Sequence, residues 1–399
     1  MTDRPADPIE DFYERHPYPP PVAHLAAAAD GWDDHRARVA HHLVWPRRSP
    51  ESVRSVLVAG CGTSQAARHA VRAPHTHVVG IDVSATSIEH TRRLAEQHRI
   101  DNLELHRLPI ERVSELGQQF DHVVSTGVLH HLADPGEGLA QLRRVVATDG
   151  AISLMVYARY GRTGIYLLQD YCRRLGIEPT RHEIGDLVAT LRELPVGHPL
   201  SRLLRETRDF QDDDALADAL LNPRDRAYSV PEIHELLDGA GLRFGRWVRQ
   251  APYLPDCGSI SETPHAARIA TLPAGEQHAA VELFRGTITT PSLIAHRAVD
   301  DDSTTLDFSA READAWVPIV VPTAVAVQER LPPRAAAALL NRAHTASDLV
   351  MFVDATDLAT FRAIDGTRPI GSLGPGARQL VERLWRHDLV VVDAVPTGD

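Results

Sequence analysis

The sequence predicts an α/β protein whose main domain is a doubly wound, mostly parallel sheet. Two observations predict this class: apolar runs of strand length alternate with helical patterns over residues 53–158, and the turns between them are short. Alternation of this kind produces right-handed crossovers and therefore parallel strands. The chain has 399 residues, of which 43% are hydrophobic, so it can bury a large core and form more than one domain.

Strands and helices follow one another in a regular order through this region. The first strand ends at Gly60, and a helix over 64–73 follows it. Ser84 is expected to cap the next helix, which runs to about Arg99. A later helix begins at Asp134, since Asp at the N-cap, Pro at the next position and Glu three residues on form a helix-start signature. The predicted strands are 53–59, 77–82, 103–106, 121–126 and 151–157.

The second half of the chain predicts further helices and strands of this domain, followed by a separate C-terminal domain. Residues 159–225 have a helical pattern rich in loops, and Ser229 with Glu232 forms a capping box for a further helix. A strand over 242–248 and a helix and strand over 280–297 follow. We expect a linker at 298–304. The predicted organisation is an N-terminal arm or lid over 1–50, the main domain over 51–300 with its helical insertion at about 159–225, and a small C-terminal α+β domain over 305–399.

Composition excludes several classes of protein. The 54 acidic residues outnumber the 42 basic ones, and every one of these basic residues is arginine. Without lysine there is neither a pyridoxal-phosphate Schiff base nor a Walker A loop. A net charge of −12 disfavours nucleic acid as a partner. The three cysteines are scattered and the histidines lack ligand spacing, so we expect no metal. With no membrane-length apolar run and no leader, we expect a cytoplasmic protein.

The first strand ends in a turn of the kind that approaches a nucleotide closely. Gly60 and Gly62 flank Cys61, and the lack of a Cβ lets such a backbone lie against a ligand. A dinucleotide fingerprint requires a third glycine, but Gln65 occupies that position. Asp82 ends the second strand twenty residues after Gly62, where a carboxylate can accept both ribose hydroxyls. The pattern therefore predicts a nucleoside site without the complete dinucleotide motif.

Three segments together resemble the class I S-adenosylmethionine (SAM)-dependent methyltransferases, which have a Rossmann-like sheet. The resemblance covers roughly residues 50–160 and, more loosely, 225–297. The arm over 11–21 and the stretch 154–162 are similar to a bacterial subgroup whose C-terminal extension resembles a winged helix, which we expect at 305–399. The segments that carry the resemblance are Val56–Thr63, Val79–Ser84 and Phe120–Leu132.

The resemblance implies a SAM site. Gly60, Cys61 and Gly62 would contact the methionine part through their backbone. Asp82 would bind the ribose hydroxyls and Val83 would lie against adenine. Family members often carry an acidic residue after the third strand. This chain has no obvious match to it there and has Glu111 instead. The remaining SAM-binding residues implied are Leu108, Pro109, Ile110, Thr126 and Gly127.

Candidate catalytic and acceptor residues lie near the same sheet edge. His131 and His130 follow the fourth strand and would serve if a proton must be removed, because imidazole titrates near neutral pH; the alternative is that they cap a helix or pack in the core. Tyr18 is the further candidate, in an arm that either closes over SAM or only packs. The remaining lid and acceptor-pocket candidates are Tyr13, His16, Tyr157, Tyr160 and Arg162.

Three functional hypotheses follow. The leading one is a SAM-dependent methyltransferase acting on a small molecule, such as a secondary metabolite, or on a peptide. The second is a catalytically silent SAM-binding regulator or scaffold. The third is a nicotinamide-dependent oxidoreductase, against which Gln65 argues. The sequence leaves the acceptor, the methylated atom and a homo-oligomeric state open.

Overall fold

A computed structural model describes residues 7–25, 31–206, 212–298 and 306–396. The chain divides into two compact units, Met1–Gly31, Arg54–Leu242 and Thr287–Pro291 forming the first, and Trp32–Val53, Arg243–Gly286 and Ser292–Asp399 the second. The predicted linker lies outside the described residues except for residue 298. The division predicted from sequence, at 1–50, 51–300 and 305–399, stays a prediction, and the two units are described separately below.

The first unit is built around five parallel strands in the order β3-β2-β1-β4-β5. Leu57, at the centre of β1, lies between Val79 of β2 and Val123 of β4. This arrangement confirms the predicted doubly wound parallel sheet. The strands are β1 (Ser55–Ala59), β2 (His77–Asp82), β3 (Leu103–Arg107), β4 (Phe120–Thr126) and β5 (Val146–Met155).

Both faces of β1 are covered, which explains why its sequence is continuously apolar. Val56 and Val58 pack with Ala66, Ala70 and other residues of the flanking helices on one face. Leu57 points to the opposite face, because side chains alternate along a strand, and it too is fully buried. A strand that is buried on both faces carries apolar side chains on both, so its sequence does not alternate between apolar and polar residues.

The helices of the first unit begin where the sequence places capping residues. Asp134 accepts a hydrogen bond from Glu137 N at 3.0 Å, and Ser229 with Glu232 forms the predicted capping box. The helices are α1 (Pro8–Arg15), α3 (Gln65–Arg72), α4 (Ala85–His98), α5 (Pro135–Val145), α6 (Thr163–Leu175), α7 (Arg181–Arg192), α8 (Leu200–Glu206), α9 (Asp213–Leu221) and α10 (Val230–Gly239), with short 3-10 helices at Ile110–Leu116 and Leu129–His131.

The N-terminal arm and the helical insertion share one hydrophobic core. Phe12 of α1 is 1% exposed and packs in a cluster with Leu168 and Cys172 of α6 and Leu216 of α9. His16 bonds to Asp214 at 2.9 Å across the same contact. Phe12 and His16 thus pack the arm against the helical insertion, and the function of the arm as a lid stays a prediction.

The second unit contains two small antiparallel sheets, β11-β10-β9 and β12-β8. Its core includes Trp316, Leu339, Phe361 and Val390. The predicted winged-helix character of 305–399 stays a prediction. The elements are α2 (Asp34–Val44), β6 (Leu242–Trp247), α11 (Ala266–Ile269), α12 (Ala274–Arg285), β7 (Ser292–Arg297), β8 (Val317–Val320), β9 (Ala324–Val327), β10 (Ala337–Asn341), β11 (Val350–Val353), α13 (Ala355–Ala363), α14 (Ala377–Arg386) and β12 (Val390–Asp393).

Among the described residues, none of the helices is both long enough and apolar enough to cross a bilayer.

Candidate functional site

A cavity of about 1080 Å³ opens in the first unit where the parallel strands end. Its wall includes the residues that follow β1, β2, β3 and β4, as expected for a ligand site in an open α/β sheet. Its volume lies just above the range for small-ligand sites, roughly 300–1,000 Å³. The sequence-predicted residues on this wall are Gly60, Gly62, Asp82, Val83, Leu108, Pro109, Ile110, Thr126, Gly127, Tyr13, Tyr18, His131, Tyr157 and Arg162.

The glycine turn after β1 has a backbone that only glycine adopts without strain. Gly60 has φ +71° and Gly62 has φ +54°. A Cβ on Gly60 would overlap the side chain of Val128, and one on Gly62 would lie 3.0 Å from the carbonyl oxygen of Tyr18. The turn therefore leaves its backbone open to the cavity and to the arm.

Asp82 is held in place by backbone donors. Its Oδ2 accepts from Gly62 N at 2.8 Å, and its Oδ1 accepts from Ser84 N at 2.9 Å. Burial raises the pKa of this carboxyl, while these amide donors oppose the rise because they favour the charged form. One carboxylate thus joins the ends of β1 and β2 and presents its remaining lone pairs to the cavity.

The loop after β3 forms the apolar side of this half of the cavity. Leu108 N donates to the carbonyl of Asp82 at 2.9 Å, which ties the loop to the end of β2. Arg107 Nε donates to the carbonyl of Val83 at 3.1 Å, and its guanidinium pairs with Glu10 of the arm. Val83 and Leu108 therefore lie on one wall, which is an environment suited to a flat aromatic base. Glu111 also lines the cavity.

The arm closes one side of the glycine turn. Thr63 Oγ1 donates to the carbonyl of Pro19 at 2.8 Å, and the Tyr18–Pro19 peptide bond is cis. Glu14 accepts from Ala85 N at 2.5 Å and from Thr86 N at 3.1 Å, so it caps the start of α4. These contacts place Tyr18 on the cavity wall beside Gly62.

The opposite end of the cavity carries titratable and aromatic groups. His131 is 3% exposed, and its Nδ1 lies 2.6 Å from the carbonyl oxygen of Arg224. A carbonyl can only accept, so Nδ1 carries the proton and Nε2 has the free lone pair. Nε2 is buried without a hydrogen-bond partner. Tyr157 and Arg162 lie beside it, the guanidinium 3.5 Å above the phenol ring.

Two tyrosines of this end share one carboxylate. Tyr13 OH donates to Asp218 at 2.8 Å, and Tyr157 OH lies 3.5 Å from the other oxygen of the same carboxylate. Asn222 Nδ2 also donates to Asp218, at 3.2 Å. Burial, followed by the charge of Asp218, raises the pKa of both tyrosines well above its ordinary value. Both phenols therefore stay protonated at neutral pH.

Four residues of the sequence-based set do not line the cavity. His130 is fully buried with its ring 4.0 Å from that of Tyr157, and burial holds its pKa well below the ordinary value. His16 contacts Asp214 and the carbonyl of Pro179 instead. Cys61 packs in the core beside β1, so it offers only backbone to a ligand. Tyr160 is 37% exposed.

The structure adds residues that the sequence analysis missed. Arg68 of α3, Met155 at the end of β5 and Arg224 also line the cavity, and Asp218 organises the two tyrosines. The sequence could have predicted Arg68 as a cavity residue, because it lies within two helical turns of the glycine turn. Asp218 carries no local signal, since an acidic residue in a helix is usually solvated.

One cluster has the composition of a metal site. Ligand atoms of His130, His131 and Asp225 all lie within 4.8 Å of one another. Arg162 opposes a cation there, because its charge acts on both His130 and Asp225. The sequence-based expectation of no metal stays a prediction.

Comparisons with known proteins identify the type of domain. Residues 57–152 match a family model described as a methyltransferase domain. An uncharacterized protein of Synechococcus is 27% identical over 299 residues, which cover 72% of this chain and 71% of the relative. The tRNA U34 carboxymethyltransferase of Shewanella sediminis is 37% identical over 116 residues, covering 28% of this chain and 34% of the relative. The structure of PKMT2 from Rickettsia typhi in complex with S-adenosylhomocysteine matches with a TM-score of 0.62 at 12% identity, over 90% of this chain and 75% of that one.

These matches have different weight. At 12% identity the likeness to PKMT2 shows the fold alone, and the chain spans about a third of the tRNA enzyme. The family model covers the glycine turn, Asp82 and the residues after β4. Residues 57–152 therefore match a methyltransferase domain, and the fold is that of the class I SAM-dependent methyltransferases, as the sequence motifs predict. The cofactor of that class is SAM.

Proposed function

We propose that this methyltransferase transfers the methyl group of SAM to a small-molecule or peptide acceptor. One observation carries the proposal: a single cavity has the glycine turn and Asp82 at one end, and His131, Tyr157 and Arg162 at the other. A donor at the first end and an acceptor at the second would meet at the carboxyl edge of β4. This is the arrangement that a two-substrate transfer needs.

The chain's own residues fit the cofactor. Asp82 would accept hydrogen bonds from the ribose hydroxyls, Val83 and Leu108 would contact adenine, and the backbone of Gly60 and Gly62 would lie against the methionine part. The position of both glycines on the cavity wall supports this assignment. Bound SAM supplies an electrophilic methyl group on a positively charged sulfur.

At the acceptor end, His131 would take up the proton. Its Nε2 has a free lone pair and no partner, and its Nδ1 is fixed on the carbonyl of Arg224. An acceptor hydroxyl would donate to Nε2 and give up its proton there while its oxygen takes the methyl group. The bond between that methyl carbon and the sulfur would break at the same time, S-adenosylhomocysteine would leave, and the proton would pass from Nε2 to solvent. A positioned base contributes typically about 10²–10⁴-fold to such a step. The fixed arm, through Tyr13 and Tyr18, would keep water out of the reaction.

A small-molecule or peptide acceptor is favoured over a nucleic acid. The Shewanella relative acts on tRNA, as its name states, but three of the arginines on this cavity are already paired with carboxylates. Arg107 pairs with Glu10, Arg112 with Glu115 and Arg224 with Asp7. Phosphate binding needs cations that are free to replace counterions, and the chain's net charge is −12.

Formation of S-adenosylhomocysteine tests the proposal directly. The purified protein is incubated with SAM and a panel of phenols, hydroxy acids, amines and short peptides, and S-adenosylhomocysteine is quantified by mass spectrometry. We expect acceptor-dependent product, and none from an Asp82→Ala variant at the same SAM concentration. Tight SAM binding with no turnover across the panel would contradict the catalytic proposal and favour the silent SAM-binding alternative.

A further inference from the structure

One buried arginine on the cavity wall has no ion-pair partner. Arg162 is 8% exposed, and its guanidinium stacks on the Tyr157 ring at 3.5 Å. Its Nε has no hydrogen-bond partner, and among the described residues no carboxylate forms a salt bridge with it. An arginine stays charged in proteins, so burial without a partner is costly. Such a group in a ligand cavity needs a negative charge to compensate it.

Most other arginines around the cavity are compensated already. Arg107, Arg112 and Arg224 each pair with a carboxylate of this unit. Arg68 is the exception in the described part of the chain, and it lies in α3, directly after the glycine turn. In the described part of the chain, the cavity therefore presents two arginines that form no salt bridge, one at each end, and the charge of Asp225 acts on Arg162 only from a longer distance.

The two substrates of the proposed reaction account for these two cations. SAM carries one carboxylate on its methionine part, and Arg68 is the cation beside the turn assigned to that part. Arg162 lies at the other end, with Tyr157 and His131, where the acceptor would bind. Stacking on Tyr157 covers one face of the guanidinium, and Tyr166 forms a side-chain hydrogen bond with it, so the remaining N–H donors are those available to a ligand.

We propose that the acceptor carries an anionic group, a carboxylate or a phosphate, which Arg162 binds while the group to be methylated faces His131 Nε2. This inference rests on the proposed methyl transfer, whose acceptor class it specifies. A planar guanidinium binds carboxylate and phosphate oxygens in a bidentate manner, which would orient the acceptor as well as hold it. Asp225 limits the affinity for an anion, because its charge also acts at Arg162.

Binding of matched probes to the protein saturated with S-adenosylhomocysteine tests this inference. Isothermal titration calorimetry compares benzoate with benzamide, which has the same shape without the charge, and inorganic phosphate serves as the other anion. We expect benzoate or phosphate to bind and benzamide to bind at least about tenfold more weakly, and the stronger of the two anions identifies the anionic group. Arg162→Gln should lose this preference, and Asp225→Asn should strengthen anion binding.

Two controls separate the possible failures. Arg112→Gln removes an exposed cavity arginine that is paired with Glu115, and should leave anion binding unchanged. Arg162→Gln should bind S-adenosylhomocysteine within about twofold of the wild type, and Arg68→Gln should bind it more weakly. Equal binding of benzoate and benzamide, or anion binding that survives Arg162→Gln, would overturn the inference. Loss of S-adenosylhomocysteine affinity in Arg162→Gln would overturn it too, by placing Arg162 on SAM. If the wild type binds no S-adenosylhomocysteine, the proposed function itself fails.

Discussion

The two ends of the cavity are built in different ways. The proposed cofactor end comes from short consecutive segments: Gly60 and Gly62 follow β1, Asp82 ends β2, and the hydrogen bond from Gly62 N to Asp82 Oδ2 joins the two segments. The proposed acceptor end is assembled from the arm, the turn after β4, the segment after β5 and the helical insertion, through Tyr13, His131, Arg162 and Asp218. The first end depends on backbone conformation, and the second on side chains that only the fold brings together. Substitutions at the two ends should therefore have separable effects.

The largest difference between the effect on turnover and the effect on cofactor affinity is expected for His131→Ala. Loss of the proton-accepting Nε2 should lower kcat by roughly 10²–10⁴-fold, while binding of S-adenosylhomocysteine changes by less than about twofold. Turnover of an identified acceptor and calorimetric titration of S-adenosylhomocysteine measure the two quantities. Unchanged kcat would show that the acceptor needs no base at this position.

Asp82→Ala should produce the opposite pattern. Two hydrogen bonds from ribose hydroxyls to a charged group are worth about 1.5–3 kcal/mol each, so S-adenosylhomocysteine affinity should fall by roughly 10²-fold or more. Calorimetry measures the affinity, and circular dichroism checks that the fold is retained. An unchanged dissociation constant would refute the ribose assignment.

A change in pH should reveal how much stability is lost by burying the imidazole of His130, which packs against Tyr157 outside the cavity wall. Burial holds the pKa of His130 well below its ordinary value, so below about pH 6.5 the unfolded chain binds a proton that the folded chain does not. Stability is thus retained above pH 6.5 and lost as the pH falls. Urea unfolding at pH 7 and pH 5 should show a smaller loss for His130→Gln than for the wild type, and equal losses would contradict this account.

The smallest effect is expected for Tyr13→Phe. The substitution removes the 2.8 Å hydrogen bond to Asp218, but Asn222 still donates to that carboxylate. We expect the free energy of unfolding to fall by about 1 kcal/mol, with little change in S-adenosylhomocysteine affinity. A matched Tyr160→Phe variant, whose ring is 37% exposed, should change neither quantity. A larger loss of cofactor affinity in Tyr13→Phe would show that this residue of the arm contributes to cofactor binding.

Most of the sheet could be predicted because its signals are local. The strand at 77–82 and the helix after Ser84 occur where predicted. The signals for both, an apolar run of strand length and an N-cap residue, lie within a few adjacent residues. The prediction of the fifth strand was the least accurate. The strand begins at Val146 instead of Ala151, because Val146 pairs with Phe120 of β4 and a shift of register separates this pair from His122 and Ala151. Polar residues at a strand end do not reveal that pairing.

The sequence by itself determined the parallel sheet, the glycine turn and the acidic residue at the end of the second strand, because each depends on backbone geometry or on a spacing of a few residues. Only the tertiary structure decided the arrangement of side chains at the proposed acceptor end. Only folding places Asp218 against Tyr13, 205 positions away, frees Nε2 of His131 by fixing Nδ1 on Arg224, and buries Arg162 on Tyr157 without a carboxylate. These features depend on which distant side chains meet, and no local pattern records such contacts.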